Sequence, residues 1–248
     1  MSTGKGLTRP KIRIGTSGYT YSWNKAKPNA FEWYINQGFN SVEINYSFYR
    51  FPTFTSIKFW QSNAPKDFSF SIKVHRSITH YNKLNQPRSI QLWDQFSKIF
   101  EPLENKIDFW LFQMPANFKF KPENLERVKY FFNSESIAHQ IVIRKKAVIE
   151  FRDSSWWNES ALREIERAGI AFCSVDAPSL PSEIIPISEA IYLRLHGTKT
   201  WYNYLYPEEK LKEIVSDMVS IGAQKKAVYL NNDHGMLDNG LFLMKNFF

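Results

Sequence analysis

The sequence predicts a single-domain TIM-type (β/α)8 barrel, and three observations predict it. Short apolar, strand-like segments begin near positions 12, 41, 68, 108, 147, 171, 191 and 227, each followed by a helix or a connection. The 248 residues contain no linker-like or low-complexity stretch and no internal repeat, which fits one barrel of ordinary size. Nearly every strand closes on polar residues, as barrel strands do where they converge on an active mouth. A doubly wound open sheet is the alternative. It would carry a glycine-rich nucleotide fingerprint after the first strand, and Gly15-Thr16-Ser17-Gly18 lacks the second half of that pattern.

The first strand covers residues 11–16 and runs into those two glycines, which mark a sharp turn where backbone can approach a ligand. An aromatic loop follows with Tyr19, Tyr21 and Trp23. Residues 28–37 read as a helix opened by Pro28 and stopped by Gly38. Residues 41–45 alternate as a strand, with Val42 and Ile44 on one face and Glu43 and Asn45 on the other. An aromatic, basic stretch ends at Pro52, and residues 55–63 form a helix. The third strand, 68–74, sets Ser71 and Lys73, with His75 beyond, opposite Ile72 and Val74. After a polar loop holding Thr79 and His80, residues 88–104 form a long helix, apolar at Ile90, Leu92, Trp93, Phe96, Ile99, Phe100 and Leu103. Strand four, 108–113, is closed by Pro115, and a helix covers 123–132. Strand five, 147–152, puts Glu150 and Arg152 on one face and Ile149 and Phe151 on the other. A helix over 159–168 stops at Gly169, and strand six, 170–175, ends in Asp176. Pro178, Pro181 and Pro186 predict that the helix after strand six is irregular or missing. Strand seven, 191–195, runs into His196-Gly197. A helix over 207–220 opens on Pro207. Strand eight, 227–230, leads into Asn231-Asn232-Asp233-His234-Gly235, and an apolar helix over 237–248 closes the chain.

Hydrophobic residues at 43% suffice for a large core. The formal charge of +8 favours an anionic partner, although the basic residues are scattered rather than gathered in a stripe. The lone cysteine, Cys173, lies within an apolar strand and allows no intrachain disulfide, which points to a cytoplasmic protein. Residues 1–10 are polar and basic without an apolar centre. They are expected to be a flexible tail rather than a signal peptide, leaving 11–248 as the barrel domain. No window approaches the ~20 apolar residues of a spanning helix, so no membrane partner is expected.

Parity gathers the polar strand ends. Glu43/Asn45, Lys73/His75, Glu150/Arg152, Arg194/His196 and Asn231/Asp233 each lie two apart, and all but the last pair enclose an apolar residue. With Thr16, Ser17, Gln113 and Asp176 they are expected to line the C-terminal mouth. Buried charges are costly and gather either to satisfy one another or to bind something. Glu150 with Arg152 or Arg194 is the natural structural pair. In an enzyme, Glu43, Glu150, Asp176 and His196 are the catalytic acid–base candidates. Lys73, Arg152 and Arg194 would hold a phosphate or carboxylate of a small-molecule substrate. Thr16, Ser17, Asn45, Tyr49, His80, Gln113, Trp156, Asn231 and Asp233 complete the substrate-binding set. Phosphoester hydrolysis is the expected reaction.

Three other chemistries use the same residues. Glu43, Glu150, Asp176, His196 and Asp233 could ligate Mg, Mn or Zn, but no close ligand motif is present and three cations share the mouth, so a divalent metal is not favoured. Glu43 and Glu150 could flank a glycosidic bond, yet strands four and seven carry Gln113 and Arg194/His196 instead of the acids usual in such barrels. A Schiff base at Lys73 would need desolvation to lower its pKa, which the adjacent carboxylates oppose. The alternative from another class is a non-catalytic nucleic-acid-binding barrel. Its +8 charge and loop aromatics such as Tyr21, Tyr49, Trp201 and Tyr202 would grip a backbone and stack on bases, with strong salt dependence.

Taken in order, Gly15-Thr16-Ser17-Gly18, Val42-Glu43-Ile44-Asn45, Phe48-Tyr49, Thr79-His80, Gln113-Met114-Pro115, Glu150-Phe151-Arg152 with Trp156, Arg194-Leu195-His196-Gly197 and Asn231-Asn232-Asp233 resemble the YecE-like family, domain-of-unknown-function family 72. The resemblance covers residues 11–240. It implies a TIM-type barrel and supplies no reaction. The chain differs from the family's usual pattern at Tyr19, where a Trp is common, and at Asp153, where a His is common.

Overall fold

Strands buried on both faces need near-continuous apolar runs, and those runs are where the strands form. The computed structural model describes residues 11–248. The tail expected over residues 1–10 lies outside the described residues. The strands are β1 (Lys11–Thr16), β2 (Ser41–Ile44), β3 (Ser69–Lys73), β4 (Ile107–Gln113), β5 (Ala147–Glu150), β6 (Ala171–Asp176), β7 (Ala190–Leu195) and β8 (Lys225–Leu230). They form an 8-stranded sheet in the order β1-β8-β7-β6-β5-β4-β3-β2. Every ladder is parallel. The helices are α1 (Ala30–Asn36), α2 (Phe54–Asn63), α3 (Arg88–Ile99), α4 (Pro122–Phe132), the single turn α5 (Glu135–Ile137), α6 (Glu159–Arg167), α7 (Glu208–Ser220) and α8 (Met236–Phe247). No helix joins β6 to β7, as the prolines of that connection predict.

Several boundaries differ from the sequence expectation for identifiable reasons. The helix expected over 88–104 ends at Ile99 and continues as a 3-10 turn, Glu101–Lys106. Pro102 has no N–H to donate to the preceding turn, and its ring crowds that turn. The helix expected from Pro28 begins at Ala30. β2 stops at Ile44 because Asn45 leads into a 3-10 turn, Tyr46–Phe48. β5 stops at Glu150, so Arg152 stands just past the ladder. β8 starts two residues before its apolar run. Ladder bonds use backbone alone, and the Lys226 amine donates to Met218 O (2.6 Å), a last-turn carbonyl of α7.

β1 and β2 stand at the two ends of the strand order, and no ladder joins them among the described residues. Side chains close this seam. Asn40 accepts from Ile14 N (2.9 Å) and donates to Ile12 O (3.0 Å). The Tyr34 hydroxyl accepts from Thr16 N (2.9 Å) and donates to Ser41 O (2.8 Å). The approach requires glycine at position 15, since a Cβ there would lie 2.3 Å from Ser41 O.

The outer faces of the strands pack under the helices, with Ile14, Val42, Ile72, Ile149, Phe151 and Leu195 in one continuous core. Inside the barrel, Phe109, Leu111, Val148, Cys173, Val175, Tyr192 and Tyr229 form a second cluster. Two hydroxyl pairs cross that interior, Ser41 with Tyr229 at 2.7 Å and Ser71 with Tyr192 at 2.6 Å. The barrel is therefore a filled core capped by a polar layer at its C-terminal end. Among the described residues no helix is long and apolar enough to cross a membrane.

Candidate functional site at the barrel mouth

Inward parity brings most of the expected residues together. Arg194, fully buried, is the centre. Its Nη2 donates to Glu43 Oε1 at 2.7 Å and its Nη1 to Glu150 Oε2 at 2.6 Å. Ser17 Oγ donates to Glu43 Oε1 (2.7 Å) and accepts from Arg194 Nη2 (3.3 Å). The Tyr192 hydroxyl donates to Glu43 Oε2 at 2.7 Å. Gln113 Nε2 donates to Glu150 Oε1 at 3.0 Å, and Arg152 Nε forms an ion pair with the same oxygen. Charges this deep survive only because each is paired and hydrogen-bonded. Burial by itself would raise the Glu150 pKa, but Arg152 and Arg194 outweigh it and hold the carboxyl well below its ordinary range.

His196 caps this network. Its Nε2 lies 3.3 Å from Arg152 Nη2 and 3.4 Å from Arg194 Nη1. The same nitrogen lies 3.7 Å from Glu150 Oε1. The Asn231 side-chain amide nitrogen lies 3.1 Å from Nδ1. Burial, followed by the charge of Arg194, lowers the His196 pKa to about 3, so the ring is neutral at pH 7.

Lys73 is different from the other cations. It is 8% exposed, and its Nζ lies 4.4 Å over the Phe48 ring. Among the described residues it forms neither a hydrogen bond nor an ion pair. Burial, then the charge of Arg194, lowers its pKa to about 7, against the opposing pull of Glu150 and Glu43. The sequence reading gave those carboxylates the upper hand. The structure reverses this, because both are already held by Arg194. His80, on the turn Ser77–Tyr81, stands edge-on to the same Phe48 ring at 4.8 Å. Burial and then Lys73 lower its pKa to about 4.

Three expected site residues lie elsewhere. Asp176 ends β6 with outward parity, since Val175 is the inward residue there. Its carboxylate accepts from Thr198 Oγ1 (3.0 Å), and burial pushes its pKa up. It is no part of the Arg194 network. Thr16 also points outward, where its hydroxyl donates to Gly18 O and fixes the turn. Trp156 is fully buried behind the wall, stacked on Phe151 with ring centroids 3.7 Å apart, and its Nε1 donates to Phe118 O (2.7 Å). It therefore backs the Glu150–Arg152 segment from outside. His75, though of inward parity, packs edge-on to Phe51 at 4.8 Å beyond the strand. Asp233 is half-buried in the left-handed region (φ 47°), near enough for its charge to act on Tyr21. Tyr192 and Ser71 were missed by the sequence reading. The signal was there, since Tyr192 precedes Arg194 by two and shares its face.

A groove of about 810 Å³ opens between the loops after β1 and β2, lined by Ser17, Tyr21, Asn45, Tyr49, Arg50 and Phe59 among others. Ser17 ties it to the Arg194 network. Asn45 Oδ1 is buried there with no hydrogen-bond partner among the described residues. Above the mouth, Trp201 lies 4.7 Å from the Arg152 guanidinium. The described residues hold no group of three or more His, Cys, Asp or Glu side chains placed to share a metal ion.

Comparison with known proteins agrees with this architecture. The family described as "Protein of unknown function DUF72" matches residues 13–240. The UPF0759 protein YunF of Bacillus subtilis is 25% identical over 235 residues, 82% of this chain and 81% of that one. A DUF72 family protein of Thermotoga maritima superposes with a TM-score of 0.81 at 27% identity, over 95% of this chain and 98% of that one. The D-psicose 3-epimerase of Clostridium cellulolyticum, at 12% identity and a TM-score of 0.54 over 95% of this chain and 97% of its own, shares the fold alone.

Proposed function

The chain belongs to the DUF72 family, and from the geometry of its mouth we propose that it is an enzyme acting on an anionic small molecule. One observation carries this reading: the cations at the mouth are unequally engaged. Arg194 directs both of its terminal nitrogens to Glu43 and Glu150, and only its buried Nε lacks a hydrogen-bond partner among the described residues. Arg152 keeps Nη1 without a hydrogen bond, and Lys73 keeps its whole amine. A phosphate or carboxylate between these two would gain charge-assisted hydrogen bonds in a site shielded from water. The Arg194 network then serves as the rigid floor that aims Arg152 and His196. The groove beside Ser17 takes the rest of the substrate.

The proton carrier in this reading is Lys73, whose pKa of about 7 suits transfer at neutral pH. Glu150, held ionised, anchors Arg152. For phosphoester hydrolysis, Arg152 and Lys73 would bind the non-bridging oxygens while a water attacks phosphorus; the bond to the leaving oxygen breaks as the Lys73 ammonium protonates that oxygen, and the proton released by the water restores the ammonium. The test is calorimetric titration with inorganic phosphate beside assays of phosphate release from aryl phosphomonoesters and diesters. We expect phosphate binding that weakens at least about tenfold in Arg152→Gln, the loss of one charge-assisted contact. No phosphate affinity in the folded protein would overturn the anion site. Binding without turnover of any phosphoester would remove hydrolysis and keep the site.

A second reading, nucleic-acid binding, is favoured by the outer rim. Arg76 lies 5.7 Å from the Tyr49 ring and 5.5 Å from the Tyr81 ring, and both tyrosines are exposed. Such aromatic and cationic pairs suit single strands. That reading requires binding of short oligonucleotides that falls steeply with salt and depends on Tyr49 and Tyr81 rather than on Arg152.

A further inference from the structure

We infer that Lys73 is a covalent nucleophile, its amine forming an imine with the carbonyl carbon of an anionic oxo compound bound at the mouth. The inference rests on the anion site proposed above and adds the substrate's second functional group. A 2-oxo acid or a phosphorylated aldehyde has both groups.

The arrangement around the amine supports this. A buried lysine normally finds a carboxylate, because an unpaired ammonium in a dry site is costly. Lys73 has two carboxylates near enough to feel its charge, Glu150 and Glu43, and is paired with neither. Their oxygens are taken by Arg194, Arg152, Ser17, Tyr192 and Gln113. The amine is thus largely withdrawn from water and denied a counter-ion, with the Phe48 ring beneath it. That is the setting in which a lysine nitrogen keeps its lone pair. Yet Nζ is not among the sealed, unpartnered polar atoms of the protein, so the exposure Lys73 retains reaches the amine. His80, a neutral imidazole edge-on to Phe48 and near enough for the Lys73 charge to act on it, is a group able to relay protons.

The step balances without an oxidant or reductant. The amine lone pair attacks the carbonyl carbon, and the C=O π pair moves to oxygen, which takes a proton. The nitrogen gives up one proton, and the carbinolamine then expels its oxygen as water with the second. A C=N bond replaces C=O, and both amine hydrogens leave in the water. Arg152 Nη1 is placed to hold the substrate's anionic group throughout.

The experiment is reductive trapping. The full chain is incubated near pH 7 with glyoxylate and cyanoborohydride, and with acetaldehyde in a parallel arm, and modified lysines are mapped by peptide mass spectrometry. We expect Lys73 to be labelled at least about tenfold faster than surface lysines, with glyoxylate preferred over acetaldehyde. Its labelling rate should rise with pH about a midpoint near 7, under the combined influence of Arg194, Arg152, Glu150, Glu43 and His80. Lys73→Arg places a permanent cation there and forms no imine. It should lose the adduct while keeping a cooperative melt, and phosphate binding is read on the wild-type protein. Lys73 labelled no faster than surface lysines overturns the inference, and continued phosphate binding would then leave the anion site standing. Selective labelling that is equal for both aldehydes keeps the nucleophile and overturns the anion site.

Discussion

At Arg194, one guanidinium answers two carboxylates, so its removal exposes both. Arg194→Met should destabilise the fold by about 3–5 kcal/mol, the cost of leaving buried charges unpaired, read as a fall in the urea midpoint. Lys73 should behave in the opposite way. Its folded pKa lies near 7 against 10.5 for the free side chain. Between those values the unfolded chain holds a proton that the folded chain has released, so wild-type stability should rise with pH through that window. Lys73→Met removes both the rise and the cost, and should stabilise the protein at pH 7 by on the order of 1 kcal/mol or more. A fold that improves when a residue is deleted has kept that residue for its chemistry. If Lys73→Met is instead strongly destabilising, the amine is structural. The sequence marked Lys73 as a site residue because of its parity, but misjudged its charge. That charge depends on whether Glu43 and Glu150 are free, and this is set by a residue on a strand more than a hundred positions away.

Among the elements, the seam between β1 and β2 is the weak joint. It is held by Tyr34 from α1 and Asn40 from the turn after it, in place of a ladder. Tyr34→Phe keeps the ring and strands Thr16 N and Ser41 O in a buried place. It should cost about 1–3 kcal/mol per orphaned group and speed amide exchange in β1 and β2 relative to β6 and β7. Unchanged exchange there would mean that packing alone closes the barrel. Behind β5, Trp156→Ala should cost about 3–5 kcal/mol as a large core truncation and loosen Arg152. It should weaken phosphate binding, although Trp156 does not face the mouth. The sequence assigned Trp156 and Asp176 to the site because both stand near a strand's C-terminal end. Nearness does not give direction: Asp176 follows the inward Val175, and Trp156 folds back onto the outward Phe151.

For the whole molecule, acid is the informative variable. His196 and His80 are held neutral, with pKa values of about 3 and about 4. The unfolded histidines take up protons near pH 6.5, before the folded ones do, so stability present above that pH is lost as pH falls toward 3. Glu150 adds its loss lower down, because its depressed carboxyl resists protonation only in the fold. The urea midpoint should therefore begin to fall below about pH 6.5. His196→Gln should flatten the upper part of that fall, and a wild-type midpoint constant from pH 7 to 5 would contradict the neutral His196. The sequence by itself determined the barrel, the number and order of its strands, the missing helix after β6 and the inward parity of Glu43, Glu150, Arg152 and Arg194. Each follows from local rules of alternation, apolar runs and proline, which act within a few residues. Only the tertiary structure decided which carboxylate meets which guanidinium, that Asp176 faces away, and that Lys73 is left without a counter-ion. Those outcomes depend on distances between separate strands, which barrel closure sets and no local pattern encodes.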